Sequence, residues 1–278
     1  MTQGYLMLAQ NAEDDYVKQA CLCAMSIHST NKDARVSLVT NDIVPEEYKK
    51  YFDQIIPIPW NDDAESSDWK IENRWKLYHA TPYEKTVVLD TDMLVLQDLS
   101  SWWEFLDMYD LYFTTNVYSY RGEKITSKYY RKGFVANKLY NLYTGVHYFK
   151  KSNQAAEFYK WMELITQNWE LFYGQFHKEH YPSRPSMDVT AAITAKILNC
   201  EHDITNELAK YPTFTHMKSH AQNWKKPRDK WQEVVDVHLT ATNLMIGNYK
   251  QTGIFHYTEK SFVDDEKLKV YKEYLECK

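Results

Sequence analysis

Short apolar runs separated by stretches of helical periodicity organise the first hundred residues of this 278-residue chain. The run "YLMLAQ" (5–10) reads as a buried strand and "RVSLVT" (35–40) as the next. Between them Val17, Ala20, Cys21, Ala24 and Ile27 recur at the spacing of one helix face. Pro45 opens a short helix, and "QIIPIP" (54–59) is a strand broken by prolines, hence near a sheet edge. "SSDWKIENRWKLYHAT" (66–81) predicts a helix with Ser67 or Asp68 as cap and Pro82 just beyond it. "TVVLD" (86–90) is a fourth strand. Strands alternating with helices in this way predict an α/β fold with a parallel sheet and crossover helices.

The second half continues the pattern. "SSWWEFL" (100–106) reads as a short helix, and "DLYFTT" (110–115) and "LYTGVHYF" (142–149) as strands. Two longer helices follow, over 152–169 with Ser152 as cap and over 186–198 with Ser186 as cap and Asp188 in the first turn. "EVVDVHL" (233–239) alternates as a strand does, "LMIGNY" and "GIFHY" are short strands, and 264–275 is an amphipathic helix. Periodicity is weak between Tyr118 and Tyr140, which reads as a loop or lid. That stretch carries Arg121, Lys124, Lys128, Arg131, Lys132 and Lys138 against the single acid Glu123, with five tyrosines and Phe134 interleaved. There is no internal repeat or Gly/Ser linker, so one continuous domain over residues 1–278 is expected.

Composition narrows the options. Hydrophobic residues make up 44%, enough for a sizeable core, and the net charge of −5 gives no whole-chain attraction to nucleic acid. The chain has 23 Tyr and 9 Trp, rings that offer an apolar face and a polar edge to sugars and bases. Cys21, Cys23, Cys200 and Cys277 are scattered, and C-x-C is poor zinc spacing, so buried thiols are expected. The N-terminus lacks a basic, apolar leader pattern and no apolar run approaches a membrane span, which reads as a soluble, cytoplasmic protein.

The chemistry concentrates at "TVVLDTDMLVLQDL" (86–99). Asp90 ends an apolar strand, where ligands gather in open α/β sheets, and Asp92 follows on the same side. Apolar flanks bury this neighbourhood, and two buried charges need a partner. A hard divalent cation is such a partner, held by carboxylates and by substrate phosphates.

"PYEKTVVLDTDMLVLQDLSSWW" resembles the core motif of glycosyltransferase family 8, the glycogenin-like nucleotide-sugar enzymes. "LAQNAEDDYVKQACLCAMSI" resembles that family's opening strand, polar turn and Tyr-bearing helix, and "IFHYTEK" its metal-site histidine segment. The resemblance implies a GT-A-like fold with a Rossmann-type, mostly parallel central sheet. It also implies transfer of a sugar from a nucleoside-diphosphate sugar, expected to be UDP-linked, with retention at the anomeric carbon. Residues 1–115 would form the nucleotide and metal half, and 116–278 the acceptor half that completes the metal site. Asp90, Asp92 and His256 would bind Mn²⁺ or Mg²⁺, the imidazole favouring Mn²⁺. Ala9, Gln10 and Asn11 would cradle the base, Tyr16 cover it and Thr91 lie near the ribose. Arg74 would face the donor phosphates or sugar, Lys260 would reach the diphosphate, and Asp188 would act beside the transferred sugar. The chain departs from the family at Tyr143-Thr144-Gly145, where the family has Asn-Ser-Gly, and at Val189, where it has an amide.

A second basic cluster, Lys218, Lys225, Lys226, Arg228 and Lys230 beside Trp224 and Trp231, joins the 118–140 stretch as an expected acceptor-facing element. Acceptors compatible with it are a glycan, a glycolipid, a protein or modified DNA. Two other readings stay open. A haloacid-dehalogenase-type phosphohydrolase also uses a strand followed by D-x-D, with Asp264 and Asp265 mimicking its later metal-binding acids. A non-catalytic carbohydrate-binding protein would use the Tyr and Trp content alone.

Overall fold

The computed structural model describes residues 2–62, 70–125, 131–176, 185–218, 222 and 230–277. Its largest sheet contains β1 (Gln3–Leu8), β2 (Val36–Val39), β3 (Gln54–Ile56), β4 (Lys85–Leu89), β6 (Leu111–Thr114) and β8 (Tyr143–Lys150). Their spatial order is β3-β2-β1-β4-β8-β6. The first four run parallel, and β8 is antiparallel to both β4 and β6. The sheet is thus mostly parallel, and the proline-broken strand lies at its edge as expected.

Successive residues of these strands feed opposite layers, because side chains alternate across a sheet. Tyr5, Met7, Val87 and Leu89 pack into one core, together with the helix Tyr16–Thr30 and the C-terminal helix Asp265–Glu276. Leu6, Val88, Leu111 and Phe113 pack into a second core, with the helices Asn153–Gln167 and Met187–Leu198. With both faces covered, the strands need uninterrupted apolar runs, which the sequence supplies. Each fully buried Val, Leu or Phe contributes about 1.5–3 kcal/mol.

Two smaller sheets accompany it among the described residues. One orders β5 (Met93–Val95), β13 (Ile254–His256), β9 (Phe214–His216) and β7 (Val117–Tyr118) as β5-β13-β9-β7. The other is an antiparallel meander of β10 (Val237–Thr240), β11 (Asn243–Ile246) and β12 (Tyr249–Gln251). Pairing of β5 with β13 folds the chain end back onto the segment that follows β4.

Some expectations change in detail. The described part of the 66–81 helix is a 3₁₀ turn, Lys70–Lys76, passing into one α turn, Leu77–Ala80; its expected caps lie outside the described residues. The 118–140 stretch contains the end of β7, a tight turn with Gly122 at φ +80° and a short helix, Lys132–Ala136; Lys128 lies outside the described residues. Trp224, Lys225, Lys226 and Arg228 lie outside them too. The helix Trp169–Phe176 and strands β9 and β12 carry too few residues for periodicity to reveal them. Cys21, Cys23 and Cys200 are buried free thiols, and Cys277 is an exposed one.

Ser152 caps its helix as expected, its hydroxyl accepting from the Ala155 amide at 3.2 Å. Ser152→Ala is expected to lower stability by about 1 kcal/mol, measured by urea denaturation.

Candidate active site

The site forms where β4 ends. The Asp90 amide donates to the Gly145 carbonyl at 2.9 Å, so the residue after β4 remains tied to β8. A Cβ at position 145 would stand 2.7 Å from Asp90 Oδ2; glycine alone leaves room for that carboxylate. Arg74 donates to Asp90 Oδ1 from the 3₁₀ turn.

Asp92 is buried and clasped from the chain's other end. His256 Nε2 lies 3.1 Å from its Oδ1, and Lys260 Nζ 2.9 Å from its Oδ2. The Tyr257 amide donates to the Asp92 carbonyl at 3.2 Å, fixing the register of this junction. Burial alone would raise the Asp92 pKa, but His256 and Lys260 outweigh it and hold the carboxyl well below the usual range.

Ligand atoms of Asp90, Asp92 and His256 lie within 4.8 Å of one another, the only such group of three among the described residues. His256 Nδ1 is buried without a hydrogen-bond partner among those residues. Two carboxylates and an imidazole are a donor set that suits Mn²⁺, and they tolerate Mg²⁺. The residues therefore fit the cation that the sequence resemblance implies.

Asp188 approaches from the first turn of the helix Met187–Leu198. Its Oδ1 accepts from the Thr144 amide at 2.8 Å and the Thr144 hydroxyl at 2.7 Å, and its Oδ2 lies 3.2 Å from Arg131 Nη1. Burial raises its pKa, yet Arg131 and the two Thr144 donors bring it below the usual carboxylate value. Thr144 and Gly145 are neighbours in β8, so one dipeptide touches Asp188 and Asp90 in turn. Arg74 feels the fields of Asp188 and Asp92 as well as its contact with Asp90. Arg131, expected on an acceptor-facing surface, is instead buried between the Phe134 and Tyr143 rings. Its guanidinium finds there two aromatic faces, the Leu142 carbonyl at 2.6 Å and the Asp188 carboxylate.

The predicted base-binding segment lies at the end of β1, next to β4. Ala9 is buried, its amide bonded to the Val39 carbonyl. Gln10 Oε1 accepts from Asn73 at 2.7 Å, and Asn11 Oδ1 caps Val17 at 3.0 Å while its Nδ2 donates to Asp15. The amides of Gln10 and Asn11 are thus engaged within the fold. Tyr16 is half-buried, with Lys260 Nζ 4.8 Å from its ring centre, so Lys260 spans from Tyr16 to Asp92. Thr91 is buried, and the Tyr257 hydroxyl lies 3.5 Å from its carbonyl.

Two histidines of the site were invisible to sequence reasoning. His216, paired in register with His256 across β9 and β13, stacks on it with ring centres 4.7 Å apart. Burial and the neighbouring His256 push its pKa well down. His147 lies in β8, bonded to the Thr144 carbonyl and the Tyr159 hydroxyl at 2.7 Å each, and burial pushes it down to about 3. Both are neutral supports. Only their position in strands that cross the site marks them out, and that requires the fold.

Asp264 and Asp265 stand elsewhere. Asp264 caps the C-terminal helix through the Lys267 amide, and Asp265 pairs with Lys18. The later acids of a phosphohydrolase reading therefore serve a helix terminus and a surface ion pair. No helix among the described residues is long and apolar enough to cross a membrane.

No family model matches the chain, and no curated protein matches it. It spans 46% of the length of the glycosyltransferase GlyE from Streptococcus pneumoniae TIGR4, at 16% identity over 74% of this chain and a TM-score of 0.40. It resembles the galactosyltransferase LgtC in complex with donor and acceptor sugar analogues, at TM-score 0.55 and 13% identity, over 99% of this chain and 95% of that one. The apo form of mouse xyloside xylosyltransferase 1 gives TM-score 0.54 and 11% identity, over 92% and 97% of the two chains. At such identities the likeness is one of fold: this chain has a GT-A-like α/β architecture over nearly its full length.

Proposed function

We propose that the chain is a metal-dependent glycosyltransferase of the family 8 type, moving a sugar from a UDP-sugar to an acceptor with retention. The carrying observation is the convergence of Asp90, Asp92 and His256 at the end of β4, in a fold shared with glycosyltransferases. The neighbour LgtC, solved with donor and acceptor sugar analogues, supports a sugar-nucleotide donor. The whole chain acts as one domain in this reading, and its buried thiols suit a cytoplasmic setting.

Asp90, Asp92 and His256 would hold Mn²⁺ or Mg²⁺, which when bound neutralises the donor diphosphate and stabilises it as a leaving group. Arg74 and Lys260, already against the two carboxylates, add positive charge where negative charge builds on the departing phosphate. Ala9, Gln10, Asn11 and Tyr16 flank the base, and Thr91 the ribose. Asp188, fixed by Thr144 and Arg131, presents an anion to the transferred sugar, whose anomeric carbon gains positive character as the bond to oxygen breaks. The acceptor carries a glycan, whether it is a polysaccharide, a glycolipid or a glycoprotein.

A thermal-shift panel of UDP, GDP and CDP with and without Mn²⁺ tests this. A ligand at a hundred times its Kd adds about 2.7 kcal/mol, which corresponds to a rise of about 5 °C for a chain of this size. UDP with Mn²⁺ is expected to give that rise and UDP with EDTA little. No shift with any nucleotide, or an equal shift in EDTA, would remove the proposal.

A further inference from the structure

A second cleft, of about 640 Å³, opens beside the four-stranded sheet and is walled by the turn after β7, the β11–β12 hairpin and the segment leading into β9. That volume is within the range of ligand sites. Its side chains are of three kinds. Arg121, Lys210 and Lys250 are exposed cations, and no carboxylate lines the cleft among the described residues. On a chain of net charge −5, a cleft with three cations and no acid is a local exception. Aromatic rings form its second element: Tyr211, part-buried, stacks on the buried Trp102 with ring centres 6.2 Å apart, and Tyr249 is 45% exposed, so Tyr211 and Tyr249 are the rings open to a ligand. The rest is hydroxyl and amide, including Ser101, Thr213, Thr215 and Asn248.

The walls are built rather than accidental. Gln251, itself buried, donates to the Tyr120 carbonyl at 2.8 Å and so ties the hairpin to the turn. Gln222, also buried, accepts from the Tyr120 amide and donates to the His216 carbonyl. Arg121 is aimed by a bond from its Nε to the Tyr120 hydroxyl at 3.1 Å. Neither Lys210 nor Lys250 has an ion-pair partner among the described residues. Because strand residues alternate, Thr215 in this cleft lies on the opposite face of β9 from His216. Phe214, which also lines the cleft, shares the face of His216, with its ring centre 5.7 Å from that of His256. None of Asp90, Asp92 and His256 lines the cleft, which adjoins their centre through β9 and the start of β13.

We infer that this cleft binds an acidic glycan, a carboxylate-bearing stretch of the acceptor chain held away from the transfer centre. The three cations meet the carboxylates, Tyr211 and Tyr249 meet sugar faces, and the hydroxyl and amide groups meet sugar hydroxyls. Binding stands on the cleft alone; its use as an acceptor subsite rests on the glycosyltransferase reading.

The test uses the full chain and three probes: a hexamer of galacturonate, the same hexamer fully methyl-esterified, and a single-stranded DNA hexamer. Binding is read by calorimetry at low and high salt. The acidic hexamer is expected to bind, more weakly as salt screens the cations. The ester is expected to bind far more weakly. A Lys210→Ala, Lys250→Ala double variant is expected to lose at least about tenfold in affinity for the acid, while its thermal shift with UDP and Mn²⁺ stays that of the wild type. Acidic-hexamer binding that survives alongside a failed nucleotide shift supports the cleft and removes only its acceptor role. Absence of binding, equal binding of acid and ester, an unaffected double variant, or tighter binding of the DNA hexamer would each overturn the inference.

Discussion

Asp92→Asn is expected to lower turnover about a thousandfold and to abolish the manganese-dependent rise in melting temperature with nucleotide. In the proposed reaction the stabilisation of a leaving diphosphate is worth several kcal/mol, and each 1.36 kcal/mol is a factor of ten, so about three powers of ten are expected to rest on this carboxylate. The amide keeps the shape and loses the charge. It also leaves Lys260 and His256 facing a neutral group in a largely buried place. Breaking a buried pair by removing one partner costs about 3–5 kcal/mol; with Lys260 29% exposed, about 2 kcal/mol is the expected loss. The pH dependence has a definite sign. The Asp92 pKa is depressed in the fold, so its contribution is complete above the ordinary carboxylate pKa of about 4 and disappears as pH falls through the lower folded value. Wild-type stability should therefore drop below about pH 4, and the variant's should drop less over that interval. Calorimetry across this range decides the matter. Parallel pH curves for the two proteins would show that Asp92 is not ion-paired in solution, and unchanged turnover would take it out of the reaction.

The residues that could be read from sequence share one property: their neighbours in the chain announce them. Asp90 and Asp92 stand between two apolar runs, which places them at a strand end before any contact is known. The first helix, the capping Ser152 and the edge position of "QIIPIP" follow from periodicity, a hydroxyl before a helical stretch and proline's missing donor. What resisted reading depends on long-range pairing. His216 becomes part of the site only because β9 pairs with β13, bringing residues forty apart into register. Arg131 belongs to a run of basic residues that reads as solvated surface; its burial follows from Phe134 and Tyr143 closing on it and Asp188 meeting its charge. The secondary cleft is equally non-local, since Arg121, Lys210 and Lys250 come from three distant segments. Tight local signals carry the sheet and the D-x-D. The short strands β7 and β9, of two and three residues, carry almost none.

Asp188→Asn is the variant that separates the chemistry from the binding of the donor. Its carboxylate accepts both Thr144 donors and faces Arg131, and its pKa lies below the ordinary range. It is therefore an anion at neutral pH, unable to give up a proton and suited to meet positive charge developing on the sugar. Loss of one such fixed electrostatic partner is worth about 10²–10³ in kcat, and the KM for the nucleotide sugar should change little, because the proposed metal and base contacts fall to other residues. Thr144→Val removes the hydroxyl donor and keeps the backbone one. The Asp188 pKa should then rise, and the acidic limb of the kcat profile should move upward with it. A residue that only braced the helix against Arg131 would lower stability in both variants without moving that limb. Wild-type kcat in Asp188→Asn, or an acidic limb in Thr144→Val coincident with that of the wild type, would assign this carboxylate to structure and send the search for the reacting group elsewhere in the site.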